Sequence, residues 1–93
     1  MGSSRRRVHA QFVDVVWRPN ALTYARLAVV VPRFHHTAVA RNRVRRRLRE
    51  LVRRGRLATL PAVDLIVRAR RAAYGAGFTA LQADLTTALA RVG

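Results

Sequence analysis

The chain has no cysteine and no lysine, and only four acidic residues, Asp14, Glu50, Asp64 and Asp84. The lack of cysteine rules out a disulfide framework and any thiolate metal site, so redox chemistry does not set the compartment, although a reduced cytosol fits. No apolar run approaches the roughly 18 residues that cross a membrane. The start, MGSSRRRVHAQF, carries charge but no apolar segment of signal-peptide length. With so few acids, paired carboxylates for two-metal hydrolysis are not visible. No nucleophile-elbow motif surrounds any serine or threonine. Catalysis by the chain's own side chains therefore has little to work with.

What the chain does have is arginine. All 19 basic residues are of this type, and the formal charge is +15 over 93 residues. The guanidinium is a planar fork suited to bidentate phosphate recognition. Such a field repels itself and gains stability when anions such as sulfate or phosphate bind. About half the residues are apolar (51%), which separates the chain from a disordered basic tail. The length suits a single small domain. Residues 1–7 read as a flexible basic arm and residues 8–93 as one α/β domain suited to a polyanionic partner.

Residues 9–17 read as a first strand, with Val13, Val15 and Trp17 on one face and Phe12, Asp14 and Val16 on the other. Both faces are largely apolar, which predicts that both are covered. Arg18-Pro19-Asn20 is a turn signal. Residues 24–31 follow as a second strand, and the short link predicts an antiparallel hairpin with the first. Pro32 ends that strand. Residues 63–69 read as a third strand, with Leu65-Ile66-Val67 as a buried run. A strand, helix and strand in this order predict a parallel crossover pair. Residues 70–77 read as a loop. Thr79 with Gln82 suggests a capping box for a last helix, whose stripe is Leu81, Leu85 and Leu89.

Between the second and third strands lies the most informative stretch, TAVARNRVRRRLRELVRRG at residues 37–55. It carries Arg41, Arg43, Arg45, Arg46, Arg47, Arg49, Arg53 and Arg54 against a single acid, Glu50. Thr37 reads as its N-cap and Gly55 as its C′ residue. Val44, Leu48, Leu51 and Val52 fall together as a core-facing stripe. Asn42, Arg46, Arg49 and Arg53 lie nearly opposite. Such a face neutralises phosphates and releases counterions, giving salt-sensitive affinity. A merely solvated face is the plainer alternative, but unbalanced like charges over several turns destabilise a helix. Attachment to an anionic membrane is disfavoured because the core claims the apolar stripe.

The order Ala38-Val39-Ala40-Arg41-Asn42-Arg43, running on to Arg49-Glu50, resembles the signature helix of the bacterial ribonuclease P protein subunit. Leu60-Pro61 and Val63 to Arg70 resemble that family's strand after the helix, and Phe78-Thr79 its closing helix. The resemblance implies an α+β fold: a small sheet with an antiparallel hairpin and a further strand, joined by a left-handed strand–helix–strand crossover and packed on helices, similar to one domain of ribosomal protein S5. It implies a cytoplasmic accessory subunit whose partners are the catalytic ribonuclease P RNA and precursor tRNA. The RNA uses Mg2+ to remove the 5′ leader, and the protein is not itself expected to cleave. It assigns Arg41, Asn42, Arg43, Arg45, Arg46, Arg49 and Arg53 to RNA binding, and Phe12, Val15 and Arg33 to a cleft for the leader. The family begins with a helix bearing two phenylalanines, whereas only MGSSRRRVHAQ precedes Phe12 here. One wall of the cleft is therefore expected to be missing or supplied otherwise.

Other readings stand beside this one. A ribosomal-type structural RNA-binding protein or a general nucleic-acid-binding module shares the charge argument. A protein-only nuclease is disfavoured by the scarcity of carboxylates. His9, His35 and His36 read as surface or phosphate-contacting residues rather than metal ligands, since nothing completes a ligand set. Phe12 and Phe34 are candidates for base stacking, while Trp17 and Tyr24 read as core or rim.

Overall fold

The computed structural model describes residues 5–55 and 59–92. Residues 1–4 of the expected arm and residues 56–58 of the connector lie outside the described residues. The elements are β1 (Arg6–His9), β2 (Val13–Pro19), β3 (Arg26–Val30), α1 (Ala38–Gly55), β4 (Val63–Ala69), a 3-10 turn (Arg71–Gly75) and α2 (Phe78–Leu89). They form one four-stranded sheet in the order β1-β2-β4-β3, with α1 and α2 packed together. This is the expected α+β class.

The pairing corrects the expected hairpin. The second and third strands in sequence are not neighbours, because β4 lies between them: β2 pairs with β4 antiparallel and β3 pairs with β4 parallel. A link of a few residues has the reach to step over one strand, since strands two apart are only about 10 Å from each other. Asn20 holds the step in place. Its backbone amide donates to the Ala62 carbonyl at 3.0 Å. Its side-chain amide donates to the Tyr24 carbonyl at 3.2 Å and to Asp64 Oδ1 at 3.1 Å. Its side-chain oxygen accepts from the Leu22 amide at 2.9 Å. The antiparallel hairpin that does form is β1–β2, with Arg6 opposite Trp17 and His9 opposite Asp14. Arg6 and Arg7, expected in a flexible arm, are thus ladder residues.

The period-two alternation decides which side chains enter the core. Val13, Val15 and Trp17 of β2, Val29 of β3, and Leu65 and Val67 of β4 are buried on one sheet face. The stripes Val44, Leu48, Leu51, Val52 and Leu81, Leu85, Leu89 cover that face. The core is wholly apolar among the described residues, so its stabilisation is mainly area removed from water, about 1.5–3 kcal/mol for each large aliphatic side chain. The other sheet face is open, contrary to the expectation that both are covered. Ile66, expected inside a buried run, is 42% exposed there, and Tyr24 on the β2–β3 link is 59% exposed.

Helix α1 starts as expected: Thr37 Oγ1 accepts from the Ala40 amide at 3.1 Å, satisfying one of the orphan N–H groups of the first turn. Helix α2 does not. Its N-cap is Gly77, whose carbonyl accepts from the Leu81 amide at 3.1 Å, and no side chain caps it. Thr79 lies inside the first turn, two residues past the cap, and makes no cap hydrogen bond.

Candidate nucleic-acid interface

The burial of its stripe sets the orientation of α1. With Val44, Leu48, Leu51 and Val52 turned inward, Asn42, Arg43, Arg46, Arg49 and Arg53 are exposed. A shallow recess of about 450 Å³ on this side is lined by Val39, Asn42, Arg43, Arg45, Arg46 and Arg49. The structure therefore brings six of the seven predicted RNA-binding residues onto or beside one surface: Asn42, Arg43, Arg45, Arg46 and Arg49 in the recess, and Arg53 one turn beyond Arg49.

Arg41 has a different attachment. It is half-buried, and its Nε donates to the Val31 carbonyl at 2.8 Å, joining α1 to the end of β3. Arg45 on the same flank is half-buried too, with its Nε enclosed and without a hydrogen-bond partner. Arg45 also lines the recess, so one long cationic side chain is partly enclosed at the apolar edge and partly on the charged surface.

All four acids are engaged. Glu50 pairs with Arg54 at 2.9 Å along the helix, an exposed pair that contributes little. Asp14 lies 2.7 Å from His9 Nδ1 and 3.8 Å from Arg70. Asp84 accepts the backbone amides of Gln11 and Phe12 at 3.0 and 2.8 Å. Asp64 takes the Arg26 fork through Nε at 2.8 Å and Nη2 at 2.9 Å. The hydrogen bonds from Arg26 and then Asn20 hold the Asp64 carboxyl below its ordinary range, and the hydrogen bond to Asp64 raises the Arg26 guanidinium. Among the described residues, no ion pair reaches Arg41, Arg43, Arg45, Arg46, Arg47, Arg49 or Arg53. Among the described residues, the one acid of α1, Glu50, is held by Arg54, which leaves the other arginines of the face without an ion-pair partner.

The predicted cleft residues do not converge. Val15 is fully buried in the core, because β2 alternates and Val15 shares its face with Val13 and Trp17. Phe12 is half-buried at the entry to β2, and its carbonyl accepts from the Arg70 amide at 2.9 Å. Arg33 is exposed in the loop beyond β3. The open sheet face instead holds a hollow of about 590 Å³ lined by Arg5, Arg7, Asp14, Val16, Val30, Ile66 and Arg68. Val16, directly opposite Ile66 on β4, is the residue that alternation would have indicated in place of Val15.

A small α+β domain with a strongly cationic arginine helix on one side and an open, arginine-rimmed sheet on the other has the surface expected of a polyanion-binding protein. The comparisons narrow the class. The family model described as Ribonuclease P matches residues 1–93. The chain is 43% identical over 89 residues to the ribonuclease P protein component of Azoarcus sp. (strain BH72), covering 95% of this chain and 73% of that protein. It is 40% identical over 83 residues to the one from Thermus aquaticus, covering 89% of this chain and 48% of that protein. The chain thus spans about three quarters of one relative and about half of the other. Among solved structures, the ribonuclease P protein of Thermotoga maritima superposes with a TM-score of 0.85 at 26% identity, covering 96% of this chain and 84% of that one. The Staphylococcus aureus protein gives 0.85 at 27% identity, covering 95% and 83%. The chain belongs to the ribonuclease P protein family.

Proposed function

We propose that this chain acts as the protein subunit of ribonuclease P: it binds the catalytic RNA through the outer face of α1 and assists removal of the 5′ leader from precursor tRNA in the cytoplasm. The observation that carries this reading is the unmatched charge of α1. Arg43, Arg46, Arg49 and Arg53 stand exposed on a helix whose only acid, Glu50, is taken by Arg54. Backbone phosphates supply the missing counter-charge, and release of condensed cations drives the association. Guanidinium forks fix the phosphates in direction as well as charge.

Catalysis is assigned to the RNA, and Mg2+ with it. Asp64 and Asp84 are occupied by hydrogen bonds that hold the fold, to Arg26 and to the amides of Gln11 and Phe12. The protein's contribution is then positional and electrostatic. It screens repulsion between two RNA molecules and holds the precursor where the RNA acts.

The open sheet face suits a segment of single-stranded leader. Val16, Ile66 and Val30 form an aliphatic floor, and Arg5, Arg7 and Arg68 stand along it. This surface replaces the set Phe12, Val15 and Arg33 as the assignment for the leader. No helix among the described residues is long and apolar enough to cross a membrane, and the reading invokes none.

Reconstitution tests the proposal. Purified protein is added to a bacterial ribonuclease P RNA and precursor tRNA at low magnesium. Cleavage at the 5′ end is expected to rise above that of RNA alone. No gain would defeat the reading, and cleavage by the protein without RNA would transfer the chemistry to the chain.

A further inference from the structure

The loop between β3 and α1 is built unlike an ordinary connector. Residues 33–36 make a tight turn closed by a hydrogen bond from the His36 amide to the Arg33 carbonyl at 2.8 Å. Phe34 and His35 both adopt positive φ, 49° and 71°, a region that side chains other than glycine enter only when their surroundings hold them there. The surroundings are aromatic. The His36 ring lies flat on Tyr74 of the 3-10 turn, with centroids 3.8 Å apart and planes within 4°. Phe34 meets the same Tyr74 edge-on at 6.3 Å, and the Arg71 guanidinium sits 5.0 Å from the centre of the Phe34 ring. Tyr74 is anchored by its hydroxyl, which donates to the Pro32 carbonyl at 2.7 Å.

The outcome is an aromatic stack with one open side. Tyr74 is half-buried and covers one face of the imidazole, while His36 is exposed. Arg33, His35 and Arg71 around it are exposed as well. One residue further on, Thr37 caps α1, so the stack stands at the head of the arginine face. A flat, solvent-facing π surface beside cations fits a ligand that has both a flat ring and an anionic backbone, which is an unpaired nucleotide.

We propose that the exposed face of His36, backed by Tyr74, is a stacking platform for one unpaired nucleobase of an RNA strand lying along α1. This rests on the RNA-binding reading above and adds a contact that distinguishes single-stranded from paired RNA. The phosphate contacts of α1 make no such distinction. The platform is separate from the open sheet face, whose floor is aliphatic.

The test compares two probes of equal phosphate count, a single-stranded oligoadenylate and a blunt RNA duplex, on the whole chain and on His36→Ala and His36→Phe. His36→Ala is expected to lose about tenfold in affinity for oligoadenylate, the scale of one lost base–aromatic stack, and to keep its affinity for the duplex. His36→Phe is expected to stay within about twofold of the unsubstituted chain on both probes, because it keeps a π face and removes the imidazole nitrogens. Equal losses on both probes would reduce His36 to a structural support of the loop and overturn the platform. No loss on either probe, or a His36→Phe defect as large as that of His36→Ala, would overturn it too. If the unsubstituted chain bound neither probe, the RNA-binding reading itself would fall. If the unsubstituted chain binds both probes and His36→Ala changes the two affinities by the same factor, the platform alone is removed.

Discussion

Arg41 Nε donates to the carbonyl of Val31 at 2.8 Å, so the first arginine of the charged helix also joins that helix to the end of β3. The arginines of α1 divide by this criterion. Arg41 works partly for the fold, whereas Arg46 and Arg49 are exposed and make no ion pair among the described residues.

That division predicts different costs. Arg41→Ala should lower the unfolding free energy by about 1–2 kcal/mol, the value of a charge-assisted hydrogen bond at a part-buried site. Arg46→Ala or Arg49→Ala should change it by less than about 0.5 kcal/mol, as for surface substitutions that touch nothing. Urea melts measure both. Equal costs for all three would contradict the division.

The Arg26–Asp64 pair predicts a pH response. The hydrogen bonds from Arg26 and Asn20 depress the Asp64 pKa in the folded state, while the unfolded chain keeps the ordinary value of about 3.9. The unfolded state therefore takes up the proton first. This contribution to stability is full above the ordinary carboxylate value and is lost as pH falls through it toward the lower folded pKa. Urea midpoints measured from about pH 6 down to pH 3 should fall for the unsubstituted chain and fall less steeply for Asp64→Asn. Parallel curves would show that the pair adds no linkage.

The large excess of positive charge on α1 predicts stabilisation by anions. Sulfate or phosphate at tens of millimolar should raise Tm, since a ligand that binds only the folded state stabilises it by mass action. The Arg46→Glu, Arg49→Glu double variant should show a smaller rise. A flat response in the unsubstituted chain would mean that the face does not gather anions.

Local patterns in the sequence carried well and non-local pairing did not. The stripe Val44, Leu48, Leu51 and Val52, the Thr37 cap and the stripe Leu81, Leu85 and Leu89 follow from the helical period, which neighbouring residues determine. The place of β4 between β2 and β3 is decided by contacts across nearly fifty residues, such as Trp17 opposite Leu65, whereas the short link before β3 points only to a hairpin with β2. Alternation put Val15 on the core side of β2, but its assignment to the leader cleft came from the family resemblance and ignored that alternation. Nothing local marks Phe34 and His35 for positive φ, and the His36–Tyr74 stack joins residues far apart in the chain. The arginine surface written on one helix was legible in the sequence, and the features assembled from separate segments were not.

The most direct test of the central claim, that the outer face of α1 docks RNA backbone, is the salt dependence of binding to a bacterial ribonuclease P RNA. It is measured for the unsubstituted chain and for the Arg46→Glu, Arg49→Glu double variant. Affinity should fall steeply with salt for the former. The variant should bind more weakly at moderate salt, and its log–log slope should be shallower by about 2, close to one for each phosphate contact removed. Unchanged affinity with an unchanged slope would contradict the account and move the docking surface away from α1.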